Sequence, residues 1–330
     1  MVRKYVSIVV CALVALSPLA AQNKPKQVKL AAIFPGSIQD ADYNALGYVA
    51  MQTVEKKFKI ETAFSERVAV PDAERVLREY VNEGFNTIWV HGNQFNSAAD
   101  KVADAYPAVT FIVEGDGKPD APKANLWYVD RNYYTGFYVL GRLAAVTTKA
   151  GKIGWLGGLE LPFTRGEINA VRQGIADSGK KVTFDYVYVG DFNDAVKARQ
   201  GAEGLISKGV DVIISAVNLG NFGIYTAVKE AKHKVWFTTT YTSKKDQAPA
   251  NYLTADIFDF NVVLAQVLER VIDGQKGGDI TMDYGTGKAR HTDFPLSNVD
   301  AATDTAIRKV ADDVASGKIK VVKNLKEILK

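Results

Sequence analysis

The chain has 330 residues, 47% of them hydrophobic and 24% charged; that is enough for two domains with packed cores and excludes a disordered or low-complexity chain. Basic and acidic residues nearly balance, 41 against 37 for a formal charge of +4, and the lysines of Lys318–Lys330 read as a solvated surface, so nothing in the charge points to nucleic acid. The single cysteine, Cys11, excludes an intrachain disulfide and a cysteine cluster for a metal.

The chain opens with Arg3 and Lys4, an apolar run from Tyr5 to Leu16, and then Ser17-Pro18-Leu19-Ala20-Ala21-Gln22. A basic start, a short apolar core and small residues at its end make residues 1–21 a signal peptide, too short in its core to span a bilayer as a helix. The expected destination is the periplasm. A lipid-anchored form would instead be cut just before Cys11, but the apolar run ahead of that residue is short.

From Val28 onward, short apolar strands alternate with amphipathic helices. A strand at Val28–Phe34 leads to a helix near Asp42–Lys57, and further strands read at Thr87–His91, Thr110–Glu114, Lys152–Leu156, Val182–Val189, Asp211–Ser215 and Val235–Thr238. Helices fall between them at Ala73–Glu83, Asn96–Tyr106, Tyr133–Lys149, Thr164–Ser178, Ala195–Lys208 and Gly223–Ala231. This order predicts parallel sheets covered by helices. The unit is repeated, first over Val28 to Trp127 and again over Asp130 to Thr240, which predicts two similar lobes. A strand at Tyr252–Ile257, a helix at Asn261–Asp273 and a segment Ile280–Phe294 would cross between the lobes. The expected division is 28–127 plus 253–280 for the N-terminal lobe and 128–252 plus 281–330 for the C-terminal lobe, with the crossings as a hinge. Ligands of open parallel sheets bind beyond the carboxyl ends of the strands, so the cleft between the lobes is the expected site.

Little in the chain points to chemistry. His91, His233 and His291 have no partners at metal-ligand spacing, and Gly151–Gly157 spans a strand instead of opening a helix, so it is no phosphate loop. No Gly-x-Ser-x-Gly elbow is present. Aromatic residues are abundant, by contrast, with 15 Phe, 15 Tyr and 4 Trp. Tyr43, Phe95, Phe163, Phe192, Phe222, Tyr241 and Phe258 fall in or beside loops at strand ends, where flat faces could stack on a planar ligand as readily as close the core beneath each loop.

The segment Pro35-Gly-Ser-Ile-Gln-Asp-Ala-Asp-Tyr-Asn-Ala-Leu-Gly47 resembles the opening signature of the basic membrane protein family, purine-nucleoside-type receptors of ABC importers. The resemblance continues through Trp89–Phe95, Tyr106–Phe111, Tyr134–Ala145, Gly151–Gly158 and Gly190–Asp194, and covers nearly the whole chain after the leader. It implies an α/β type I periplasmic-binding-protein fold with two doubly wound lobes, no catalysis and no cofactor, a monomer, and an inner-membrane ABC permease as partner. Carried over by position, it makes Asp40 and Asn44 polar contacts to a heterocycle and Tyr43 and Phe192 its stacking partners. The loop His91-Gly92-Asn93 and the pair Asn218 and Phe222 would approach the same ligand. Where nucleoside-binding members commonly have Ile-Gly-Val-Asp, this chain has Trp236-Phe-Thr-Thr-Thr-Tyr241, and Thr254-Ala-Asp-Ile-Phe258 aligns with a Thr-Ser-x-x-Lys block. The ribose contacts are thus rewritten, and a free base, a flavin-like compound or another aromatic heterocycle competes with a nucleoside. A sensing subunit for a membrane receptor would share every one of these features, and an exported doubly wound enzyme is the third alternative.

Overall fold

The computed structural model describes residues 27–329; the expected leader, with Cys11, and Lys330 lie outside that range. The first lobe opens with β1 (Lys29–Ile33), α1 (Tyr43–Phe58), β2 (Glu61–Ser65), α2 (Ala73–Asn82), β3 (Thr87–Val90), α3 (Asn96–Ala105), β4 (Thr110–Gly115) and β5 (Leu126–Asp130). The second lobe follows with α4 (Tyr133–Thr147), β6 (Lys152–Gly157), α5 (Pro162–Asp177), β7 (Thr183–Tyr188), α6 (Ala195–Ser207), β8 (Val212–Ala216), α7 (Asn221–Glu230), β9 (Trp236–Tyr241) and β10 (Tyr252–Phe258). The chain then returns to the first lobe for α8 (Phe260–Ile272) and β11 (Gly278–Thr281), and ends in the second with β12 (Arg290–Thr292) and α9 (Ala301–Ala315).

The two sheets repeat one topology: β2-β1-β3-β4-β5-β11 in the first and β7-β6-β8-β9-β10-β12 in the second. Neighbours are parallel throughout, except that β12 runs antiparallel to β10. Parallel strands are buried on both faces, which is why they read as continuous apolar runs. Along β1, Leu30 and Ala32 face one core while Ala31 and Ile33 face another, and along β8 Val212 and Ile214 part from Ile213 in the same way. Helix starts are set by side chains: Asp194 accepts from Val196 N and Lys197 N at α6, Asp259 from Asn261 N at α8, and Asp300 from Thr303 N at α9.

The structure departs from the expected lobe boundaries at one element. The sequence places 253–280, including most of the strand expected at Tyr252–Ile257, in the N-terminal lobe, yet β10 pairs with β9, Ala255 opposite Thr239, inside the second sheet. Its β-branched and apolar sequence suits either sheet, and the topology decides. β5, cut by the expected boundary at 127, lies in the first sheet between β4 and β11. No strand is expected from the sequence at β5, β11 or β12, and two further elements carry little apolar signal: β2 is a half-exposed edge strand with no apolar run, and α9 buries only Ile307, Val310, Ala311 and Val314 of a polar helix.

Among the described residues the chain crosses between lobes three times, at 131–132, at Asp259 and at 282–289. Arg290 pins these crossings together. Fully buried, it donates from Nη1 to the Arg131 carbonyl at 3.0 Å and to that of Asn132, and from Nη2 to the Tyr133 carbonyl at 3.3 Å and to the Asp256 carboxylate. The Phe258 ring lies 4.3 Å from its guanidinium carbon. Removing one member of a buried pair strands the other charge, so Asp256→Ala should cost about 3–5 kcal/mol in urea-denaturation stability. A loss below about 1 kcal/mol would show that the carbonyls alone compensate Arg290.

Candidate functional site

Both lobes reverse their strand order between the first and third strands of their units, at β1/β3 and at β6/β8. The loops leaving these four strands face each other and enclose a cavity of about 190 Å³. In open α/β sheets such switch points are where ligands bind. The first lobe contributes Pro35, Tyr43, Asn44 and Gln94; the second contributes Leu159, Leu161, Phe163, Phe192, Asn218 and Tyr241; Gly190, Asp191 and Asn193 complete the second lobe's wall, and Arg131 enters from the first crossing.

One wall is held by a buried carboxylate. Glu114, at the end of β4, accepts from the Tyr43 hydroxyl at 2.7 Å and from Trp89 Nε1 at 3.0 Å, and its Oε1 lies 2.6 Å from His91 Nδ1. Burial by itself pushes the Glu114 carboxyl up, but His91, then Arg131 and the Tyr43 hydroxyl bring it below the usual carboxylate range. Burial, with the Glu114 charge, pushes the Tyr43 phenol well above its ordinary value. The Tyr43 ring lies against the His91 ring at 4.0 Å and 17°, so its position is fixed from behind and at its hydroxyl.

The opposite wall is aromatic. Tyr133, Phe163 and Phe192 lie in a row with nearly parallel planes, 24° and 19° between successive rings at 5.0 and 6.2 Å. Phe192 can lie against the end of β6 only because residue 158 is glycine: a Cβ there would come within 2.4 Å of its ring. The Phe192 carbonyl in turn accepts from Asn218 N and Gly220 N, locking the loop after β7 onto the loop after β8. Tyr241 bonds the Tyr133 hydroxyl at 3.0 Å and sits at φ 78°, a conformation unfavourable for a side chain with a Cβ; Ala41 and Asn132, also at the cleft, have φ 58° and 54°. Strain of this kind collects at binding sites, where surrounding structure enforces it.

Of the residues singled out in the sequence, Tyr43, Asn44, Phe163, Phe192, Asn218 and Tyr241 line the cavity. Asp40 does not. Its two oxygens accept from Asp42 N, Asn44 N, Asn44 Nδ2, Ala45 N and, across the cleft, Asn218 Nδ2 at 2.8 Å, so it caps α1 and positions two lining asparagines. His91 is fully buried behind Tyr43, and Gly92 turns the same loop at φ 141°. Phe95 is buried in the first lobe's core, Phe258 is buried at the hinge, and Phe222 is half-exposed on α7, so none of these three lines the cavity. Strand-end position locates a loop, but not the direction in which its side chain points. Arg131, Gln94, Leu159 and Leu161 were missed. The signal for Arg131 was available, since it directly follows a strand, yet an arginine after an aspartate reads as an ordinary polar turn.

Two polar groups on the walls lack partners. Asn218 Nδ2 donates to Asp40 and to Asn193, leaving the buried Asn218 Oδ1 without a donor. Arg131, 3% exposed, has its guanidinium 4.8 Å from the Tyr133 ring and 4.7 Å from the Phe163 ring, and Nε and Nη2 are buried without an acceptor.

The chain matches the family described as ABC transporter substrate-binding protein PnrA-like (Bmp) over residues 27–324. It belongs to that family. It is 27% identical over 228 residues to basic membrane protein A1 of Borrelia garinii subsp. bavariensis, covering 69% of this chain and 67% of that protein. Among solved structures, ABC transporter solute-binding proteins from Aeropyrum pernix superpose with a TM-score of 0.77 at 16% identity, covering 90% of this chain and 93% of theirs. A sugar ABC transport substrate-binding protein from Bordetella parapertussis gives 0.63 at 16% identity, covering 87% and 94%. These likenesses establish the type I periplasmic-binding-protein fold expected from the sequence.

At the cleft mouth, Asp42 of the first lobe accepts from Lys244 Nζ at 2.8 Å and Thr242 Oγ1 at 2.7 Å of the second. Burial outweighs Lys244 and Thr242 and raises the Asp42 carboxyl from 3.8 to about 6. An open cleft would return it to water. A group that holds its proton more tightly in the closed form favours closure at low pH, with the gain complete below about 3.8 and lost as the pH rises through about 6. The unliganded protein should therefore have a smaller radius of gyration by small-angle scattering at pH 5 than at pH 7.5, and Lys244→Ala should widen that difference. A radius independent of pH would mean that Asp42 stays buried in both forms.

Proposed function

We propose that the protein captures a planar, nitrogen-containing heterocycle between its lobes in the periplasm and presents the closed complex to the permease of an ABC importer. The observation that carries this reading is the pair of nearly parallel rings, Phe163 and Phe192, on one wall of the cavity that Tyr43 lines from the other lobe. Such a slot accepts a flat ring by its faces. Asn218 Oδ1, buried and without a donor, supplies the acceptor that a ring N–H or amino group would satisfy, since leaving a buried polar atom unpaired is costly. The contacts of Asp40 with Asn218 and of Asp42 with Lys244 join the lobes beside the slot, so ligand capture and closure are coupled. Binding and release require no bond to be made or broken, which accords with a substrate-binding family.

Size narrows the ligand further. A cavity of about 190 Å³ is smaller than the roughly 300–1,000 Å³ that holds drug-sized molecules, which favours a free base over riboflavin. A sugar is the rival class, given the sugar-transport neighbour of this fold.

A thermal-shift titration of protein stripped of copurified ligand, against purine and pyrimidine bases, nucleosides, riboflavin and glucose, separates these readings, because a ligand that binds only the native state raises the melting temperature. The expected order is free base above nucleoside above riboflavin, with no shift for glucose. Phe192→Ala should weaken the best ligand by about 1–3 kcal/mol, the range for base–aromatic stacking. A shift with glucose alone would assign the cleft to sugars, and an unchanged affinity in Phe192→Ala would return that ring to the core.

A further inference from the structure

The two buried arginines of the hinge region are treated very differently by the fold. Arg290 has three backbone carbonyls and a carboxylate as acceptors. Arg131 has none: among the described residues its guanidinium makes no hydrogen bond, and no carboxylate lies within 4.0 Å of it. A permanently charged group with five N–H donors is thus enclosed at 3% exposure, beside the Tyr133 and Phe163 rings and on the lining of the cavity. Burying an arginine in this way is expensive unless something supplies acceptors and countercharge.

Three neighbouring carboxylates are already engaged. Glu114 is taken up by Tyr43, Trp89 and His91, Asp130 by Lys323, and Asp256 by Arg290. Glu167, buried on α5, is pushed well above the ordinary carboxyl range by burial, which Arg131 and Arg290 oppose. Asp191 lines the second lobe's wall, where its carboxylate accepts from Asn193 N and stays half-exposed. Glu114 and Asp116 act on Arg131 only through space, and among the described residues no acceptor in the slot meets its N–H groups.

We propose that the ligand is an anionic planar heterocycle, one that sets a carboxylate or a deprotonated ring edge against Arg131 while its N–H edge meets Asn218 Oδ1. This rests on the reading of the slot as a site for flat rings and adds the sign of the ligand's charge. The guanidinium carbon lies 4.8 Å from the Tyr133 ring and 4.7 Å from the Phe163 ring, and Arg131 lines the cavity, so its planar fork of donors sits where an anionic ligand edge would be met bidentately. A neutral ring would satisfy the stacking and leave the cation unpaired.

Matched pairs of probes isolate the charge: orotate against uracil, nicotinate against nicotinamide, and urate against hypoxanthine, titrated calorimetrically into the purified protein at pH 7.5. The anionic member of a pair should bind at least about tenfold more tightly, as expected for hydrogen bonds to a charged group. In Arg131→Gln that preference should fall to within about twofold, whereas Arg131→Lys, which keeps the charge but not the fork, should retain part of it. Equal affinities within each pair in the unmodified protein, or an undiminished preference in Arg131→Gln, would overturn the inference and leave the slot for flat rings intact. Binding by neither member of any pair would overturn the slot reading itself and the inference with it. Should Arg131→Gln lose its cooperative melt, the unmodified protein and Arg131→Lys decide the matter between them.

Discussion

The guanidinium of Arg290 is the point on which the architecture turns. By donating to the carbonyls of residues 131 to 133 and to Asp256, it fastens the first crossing between lobes to β10 and β12, where the other crossings begin and end. Gly136 lies directly over this contact, close enough that a Cβ would strike both Asp256 and Arg290. The pair is costly to bury, and its worth lies less in net stability than in fixing one register for three strands of chain. Because Arg131 and Tyr133 belong to the first of these, the same contact sets the floor of the cleft. Hinge and site are therefore one structure.

Two further constraints build the walls outward from that floor. Glu114 gathers Tyr43, Trp89 and His91 around one carboxylate, which makes the first lobe's wall rigid before any ligand arrives. In the second lobe, the backbone of Phe192 is tied to the loop carrying Asn218, so a stacking ring and a hydrogen-bonding edge move together. Preorganised walls lower the entropy lost on binding, and leave lobe closure as the main conformational step. The contacts that span the cleft include Asp40 with Asn218, Asp42 with Lys244 and Thr242, and the rings of Tyr43 and Tyr241.

The sequence announced this architecture through its repeated alternation of apolar strand and amphipathic helix, because a parallel strand buried on both faces leaves a plain hydrophobic run. It could not assign β10, whose residues would suit either sheet, nor reveal β2, whose exposed pattern carries no apolar signal. For the cleft, the aromatic loops pointed to the right level of the fold, and Tyr43, Phe163, Phe192 and Tyr241 do line the cavity while Phe95 turns inward and Phe222 outward. Rotation about one backbone bond separates these outcomes, and no pattern in a single sequence encodes it. Asp40 illustrates a second limit: a carboxylate next to a helix start can serve a ligand or cap the helix, and here five N–H groups from the protein itself fill it. Arg131 was invisible for the opposite reason, because its significance lies in the partners it lacks.

A crystal structure of the protein with whichever probe most raises its melting temperature tests the central claim most directly. The account predicts closed lobes with the ring between Tyr43 and the row formed by Phe163 and Phe192, an N–H of the ligand on Asn218 Oδ1 and an acceptor on Arg131. A ligand bound outside the cavity at the two switch points, or inside it with Arg131 still unpaired, would contradict it.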